Sequence, residues 1–221
     1  LSFRFRLLSF SQLNMPSYKI TYFPARGRAE VARQILTLAG VPFEDNRLPM
    51  DQWPAYKEKT PFGQMPVLEV DGKEIPQSYA IFRYLAKEHG FAGVSAYQRA
   101  LVDALADQHK DYTGEISSAM VVFMGFAPGD KDALVKDVAE PARDKYFAIL
   151  EKIAKGNEKN GFFIGASLTW VDLLIADFVG TITSFIPGHL DAFPAVLSTV
   201  AKINATPKLK EWIASRPASH F

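Results

Sequence analysis

Nine consecutive residues constrain this fold more than any other part of the chain. Val67-Leu68-Glu69-Val70 reads as a short strand, Asp71-Gly72 as a two-residue hairpin turn, and Lys73–Ile75 as the returning strand. Pro66 has no N–H to give a sheet ladder, so it belongs at the strand entrance, a place where a cis bond is tolerated. Just past the hairpin, Pro76-Gln77-Ser78 opens a helix that continues through Ile81, Tyr84 and Leu85. A helix start presents unpaired backbone N–H groups and the positive end of a dipole, which suits an anion. An irregular strand entrance and an anion-ready helix start therefore lie close together in the chain.

The segments before the hairpin complete one unit. Tyr18–Tyr22 reads as a strand, and Arg28–Ala39 as a helix with apolar positions at Val31, Ile35, Leu36 and Leu38, capped by Gly40. Phe43–Leu48 is a second strand and Asp51–Lys59 a short helical piece; the hairpin and the helix Gln77–His89 follow. The order is β-α-β-α-β-β-α, and the helical crossover between the first two strands favours their parallel pairing. Beyond Gly90-Phe91-Ala92-Gly93 the strand signals vanish, and helical periodicity runs through Tyr97–Met124, Asp130–Lys155, Thr169–Ser184, Pro194–Ile203 and Pro207–Ala214. The reading is an α/β domain over residues 15–92 and an all-helical domain over 93–221. Thr169-Trp170-Val171-Asp172 is a capping box with Leu168 and Leu173 at staple spacing, a structural device to which no chemistry is assigned.

Composition removes whole classes of function. The 221 residues contain no cysteine, which excludes disulfides, thiolate metal sites and a protein thiol nucleophile. A formal net charge of +1 gives no reason to expect nucleic acid or electrostatic recruitment to a membrane. With no apolar run long enough to span a bilayer and no disulfide, a cytoplasmic location is expected. His89, His109, His189 and His220 are scattered without paired spacing, so no metal is expected. Leu1–Asn14 carries Arg4 and Arg6 among Phe, Leu and Ser with no acid. It reads as a disordered or non-native extension, from upstream translation, a cloning remnant or a variant start, ahead of a targeting segment.

Three ordered motifs carry a resemblance over roughly residues 15–221. They are Tyr18-Lys19-Ile20-Thr21-Tyr22-Phe23-Pro24-Ala25-Arg26-Gly27-Arg28-Ala29-Glu30, then Phe62–Ala80, then Gly165–Asp172. Together they resemble the glutathione transferase family, in particular its sigma class and nematode-like members. The resemblance implies a thioredoxin-like N-terminal domain, an all-α C-terminal domain, and glutathione as cosubstrate with no prosthetic group. It also implies a homodimer and conjugation of the glutathione thiolate to small hydrophobic electrophiles, a detoxification role that extends to peroxides. Alternatives are a glutathione-dependent prostaglandin-type isomerase and a low-activity ligandin- or S-crystallin-like binding protein.

Residue roles come from the same resemblance. Tyr22, the tyrosine directly before Phe in the first motif, donates to the thiolate, and Arg28 adds positive charge beside it. Gln77 and Ser78 match the pair that binds the γ-glutamyl carboxylate. The backbone of Met65, before Pro66, pairs with the cysteinyl amide, and Gln64 supports it. Trp53 and Lys57, one helical turn apart, match the residues that hold the glycine carboxylate. Asp111 aligns with an acid that reaches the other subunit's glutamyl ammonium. Tyr18 reads as a core or surface strand residue and Arg26 as a loop or salt-bridge residue. Two departures set the chain apart from vertebrate sigma-class prostaglandin synthases: Lys110 stands in place of a metal-supporting aspartate, and Ile116-Ser117-Ser118 where they carry a pocket tryptophan. The electrophile pocket is expected near residues 23–25, 112–126 and the C-terminus. In that region Met120–Phe126 reads as core in the first instance.

Overall fold

A computed structural model describes residues 16–219 and 221; the extension read at 1–14 lies outside the described residues. The first half is built on a four-stranded mixed sheet of β1 (Tyr18–Tyr22), β2 (Glu44–Arg47), β3 (Val67–Val70) and β4 (Lys73–Pro76), in the order β2-β1-β3-β4. β1 runs parallel to β2, with Ile20 opposite Asp45, and antiparallel to β3, with Ile20 opposite Leu68. β3 and β4 form the hairpin around Asp71-Gly72. Helices α1 (Glu30–Ala39), α2 (Trp53–Tyr56) and α3 (Ser78–His89) complete the β-α-β-α-β-β-α order. This is a thioredoxin-like arrangement.

Side-chain periodicity explains the packing. Tyr18 and Ile20 leave β1 on the face that meets Val31, Ile35 and Leu36 of α1 and Ile81, Phe82 and Leu85 of α3. Gly40 ends α1 in the left-handed conformation, with φ of 70°. Pro66 is buried and its bond to Met65 is cis.

From Ala96 onward the chain is helical: α4 (Ala96–Glu115), α5 (Ser117–Phe123), α6 (Lys131–Leu134), α7 (Glu140–Gly156), α8 (Trp170–Phe185), α9 (Pro194–Asn204) and α10 (Pro207–Ser215). The helix read over Tyr97–Met124 is two helices that meet at Ile116, where ψ is 3°. The run read over Asp130–Lys155 contains a π-helical turn, Val135–Ala139, just before Pro141. A proline has no N–H for the regular ladder, and a widened turn accommodates it.

α8 is the axle of this half, packed on α1, α3, α4 and α9. Its start is fixed by Asp172, which is fully buried. The carboxylate accepts the Thr169 N–H at 2.7 Å, the Thr169 hydroxyl at 2.6 Å and the Phe163 N–H at 2.8 Å. Burial pushes the carboxyl up to about 6 against those hydrogen bonds. Trp170 follows, its ring centroid 6.0 Å from Phe82 and 5.9 Å from Tyr79, so the helical half is keyed into α3 of the first domain.

A buried ionic cluster ties the two halves together. Glu30 of α1 accepts Trp212 Nε1 and Arg216 Nη1, each at 2.7 Å. Arg216 also lies 3.3 Å from Asp177 of α8, which pairs with Arg26 at 2.6 Å. Arg33 reaches Asp45 at 2.9 Å and the Ala25 carbonyl at 2.7 Å. Such pairs hold only because each charge is compensated.

Candidate active site

β1 ends at Tyr22, and the chain then turns through Phe23–Arg26 into a single 3-10 turn, Gly27–Ala29, that leads into α1. This turn brings backbone against the tyrosine. The Tyr22 hydroxyl oxygen accepts the Arg28 N–H at 3.3 Å, which leaves the phenolic hydrogen free to donate elsewhere. Gly27, at φ of 39°, makes that approach possible: a Cβ there would stand 2.7 Å from the Tyr22 hydroxyl oxygen.

Beside Tyr22 opens a cavity of about 780 Å³ between the two halves. Phe23, Pro24, Arg28, Ser78 and Tyr79 contribute from the first domain; Met120, Met124, Leu174 and Phe178 from the helices; and Phe221 from the C-terminal segment. It is a largely apolar space with few polar groups, the usual character of a small-molecule site. Arg28 is exposed on its rim, and its charge acts on the Tyr79 phenol across the cavity. Burial nevertheless pushes the Tyr79 phenol above the ordinary range. All three expected pocket segments contribute: 23–25, part of 112–126 with Met120 and Met124 that read first as core, and the C-terminus through Phe221.

A series of contacts connects the remaining candidate residues into a ring. The Tyr22 ring meets Phe23 at 5.4 Å, and Phe23 meets Trp53 at 5.7 Å. One helical turn on, the Lys57 N–H bonds the Trp53 carbonyl. The stem of Lys57 lies along Gly63, where an added Cβ would be 3.5 Å from Lys57 Cε. Next in sequence, Gln64 accepts Gln77 Nε2 at 3.0 Å. Gln77 leads to Ser78, which lines the cavity with Tyr22. Met65 and the buried Pro66 lie between Gln64 and β3.

Gln77 is not the first residue of α3, as the reading Gln77–His89 had it. It precedes the helix at φ of 73° and ψ of 113°, a conformation that side chains rarely adopt. Strain of this kind typically costs about 1–3 kcal/mol and gathers at functional sites. It aims the Gln77 side chain at Gln64 and leaves the first turn of α3 with no side-chain cap. Those N–H groups remain available to an anion.

Asp111 stands apart. It is exposed on α4 and does not line the cavity of its own chain. Tyr18 is a core residue of β1, 5% exposed, and Arg26 is the ion-pair partner of Asp177. Among the residues that sequence reasoning missed are Tyr79 on α3, His109 on α4, and Leu174, Asp177, Phe178 and Thr181 on α8. For α8 the sequence carries no signal beyond a strongly apolar helix. For His109 it does, since a histidine occupies the stripe Val102, Leu105, Ala106, Tyr112.

Comparisons with known proteins agree with this geometry. Residues 18–87 match the family described as "Glutathione S-transferase, N-terminal domain", and residues 115–216 match "Glutathione S-transferase, C-terminal domain". The chain is 49% identical to probable glutathione S-transferase 6 of Caenorhabditis elegans, over 94% of this chain and 100% of the relative. It is similar to the crystal structure of a Nu-class enzyme from Haemonchus contortus, with 50% identity, a TM-score of 0.86, and 94% and 100% of the two chains covered. It is similar also to a monomeric glutathione S-transferase from the hookworm Necator americanus, with 46% identity, a TM-score of 0.89, and coverage of 93% and 100%.

Proposed function

Since this chain belongs to the glutathione S-transferase family, beside its nematode sigma- and Nu-like members, we propose that it joins the thiolate of glutathione to small hydrophobic electrophiles held in the cavity between its two halves. The observation that carries this reading is the hydroxyl of Tyr22, whose oxygen is occupied by the Arg28 N–H while its hydrogen is free. A thiol with a pKa near 8.5 is only a few per cent ionised at neutral pH. Lowering it by about two units calls for about 2.7 kcal/mol of preferential stabilisation of the anion. A phenolic hydrogen bond to sulfur together with the nearby Arg28 guanidinium is of that order.

The ring of residues around Tyr22 fits the other parts of the tripeptide. The open N–H groups of α3, with Ser78 and Gln77, suit the γ-glutamyl carboxylate. Trp53 and Lys57, with an indole N–H and an ammonium, suit the glycine carboxylate. The backbone at Met65-Pro66, held by Gln64, takes the cysteinyl amide between them. The thiolate then attacks the electrophilic carbon, and positioning supplies most of the remaining rate. The role assigned to that chemistry is detoxification in the cytoplasm. Asp111, exposed on α4, is assigned the glutamyl ammonium of a partner subunit's glutathione. Its role requires a dimer, and sedimentation velocity at micromolar concentration checks for one.

Replacement of Tyr22 by Phe tests the central step. The expected result is a loss of roughly a hundredfold in kcat/KM for 1-chloro-2,4-dinitrobenzene, with the glutathione Kd from titration calorimetry changed only a few-fold. Undiminished conjugation would remove Tyr22 from the mechanism.

A further inference from the structure

His109 is an ionisable side chain on the cavity wall that the reaction described above leaves unused. It is 2% exposed, yet it borders the cavity, with the Phe178 ring edge-on at 5.0 Å. Its Nδ1 lies 2.9 Å from the hydroxyl of Tyr146 on α7. Burial raises the Tyr146 phenol well above its ordinary range, so it keeps its proton. Among the described residues, the only acceptor offered to that proton is His109 Nδ1. A buried hydroxyl that merely accepted would leave its own hydrogen unsatisfied, an arrangement native cores avoid. Tyr146 therefore donates to Nδ1, and the imidazole carries its hydrogen on Nε2.

That Nε2–H has no partner among the described residues, and it is not one of the atoms sealed from solvent. Burial pushes the imidazole down to about 3, so it stays a neutral donor at physiological pH. Several other polar groups on the wall are committed. The Thr113 hydroxyl donates to the Lys110 carbonyl at 3.0 Å and the Thr181 hydroxyl to the Asp177 carbonyl at 3.1 Å. The Asp177 carboxylate is held by Arg26 and Arg216. The Tyr79 and Ser117 hydroxyls, with no hydrogen-bond partner among the described residues, remain as further, freely rotating donors.

We propose that the Nε2–H of His109 selects electrophiles whose reactive carbon is conjugated to a carbonyl, that is, α,β-unsaturated aldehydes and ketones. This deepens the glutathione transferase reading and rests on it. The glutathione thiolate forms a carbon–sulfur bond at the β-carbon, and the C=C electron pair moves toward the carbonyl oxygen to give an enolate. The Nε2–H hydrogen-bonds that oxygen as its charge grows and is not transferred. Water then protonates the α-carbon, returning the proton that the thiol released to solvent. A fixed donor in an apolar cavity stabilises such a charge without reorganising.

The readout is a ratio, kcat/KM for trans-2-nonenal over kcat/KM for benzyl chloride, whose developing charge sits on a halide and not on oxygen. His109→Phe keeps a ring without the donor, and the ratio is expected to fall about tenfold. His109→Gln places an amide N–H near the same point and is expected to hold the ratio within about threefold of the parent. An unchanged ratio in His109→Phe overturns the proposal, as does an equal fall in both variants or a collapse confined to Tyr79→Phe. If the parent enzyme conjugates benzyl chloride and not the enal, the inference fails and the transferase reading stands. If it conjugates neither, both fail.

Discussion

Replacing Gly27 by Ala probes the contact on which the catalytic assignment depends. The added Cβ would meet the Tyr22 hydroxyl oxygen at 2.7 Å, its Cε1 at 3.0 Å and its Cζ at 3.3 Å. Ordinary van der Waals contact begins near 3.4 Å, so the hydroxyl must retreat by about 0.7 Å, and near-ångström misplacements of this kind cost up to about a hundredfold in rate. The backbone adds its own penalty, because φ is 39° and an L side chain in that region costs about 1–2 kcal/mol. For a chain of this length that corresponds to a fall in Tm of about 2–8 °C. Gly27→Ala should therefore lower kcat/KM for 1-chloro-2,4-dinitrobenzene by 10- to 100-fold, as order of magnitude, in a protein that still melts cooperatively. A double-mutant cycle with Tyr22→Phe sharpens the test. Once the hydroxyl is gone the nearest clash is gone, so Gly27→Ala should cost little further activity in that background. Activity near the parent level in the single variant, or additive losses in the double, would refute the claim that Gly27 acts through the position of the Tyr22 hydroxyl.

Two other expectations concern stability. Asp172→Ala removes the acceptor shared by the Thr169 N–H, the Thr169 hydroxyl and the Phe163 N–H; the lost cap and orphaned donors should cost about 2–4 kcal/mol, read as a drop in the denaturation midpoint at constant m. His109 binds its proton only near pH 3 in the folded chain but at about 6.5 when unfolded. The unfolded chain therefore holds more protons below pH 6.5, and stability must fall on acidification by at most about 1.4 kcal/mol per pH unit from this group. His109→Phe should flatten the pH dependence of Tm between 6.5 and 4.5; an unchanged slope would mean the imidazole is not buried neutral.

Local signals in the chain were read correctly where the physics is local. The Asp71-Gly72 turn and the Thr169–Asp172 box each depend on residues within a few positions, and both appear in the structure. The β-α-β-α-β-β-α order and the helical second half followed from changes in periodicity, while the thioredoxin-like arrangement was implied by the resemblance. What escaped was of two kinds. Gln77 looked like helix because its neighbours are helical, while its φ of 73° is imposed by the chain's approach from β4. The junction at Ile116 was invisible because the apolar stripe runs through it. The second kind is long-range pairing. Arg26 meets a carboxylate 151 positions away and Glu30 a guanidinium 186 positions away, and no window of sequence contains both partners. His109 lacks the paired spacing of a metal ligand, yet its position on a buried helical stripe sets it apart.

The ionic cluster of Arg26, Glu30, Arg33, Asp177 and Arg216 has a kinetic consequence. It fastens the wall that carries Tyr22 to the helices that carry the apolar pocket, and separating them would strand charges away from water. The two halves are thus fastened as one body around the cavity. The expectation is that no domain closure assembles the site and that no hinge gates turnover. Chemistry and the passage of a bulky conjugate out through a fixed mouth become the competing slow steps, and added viscogen should slow only the latter.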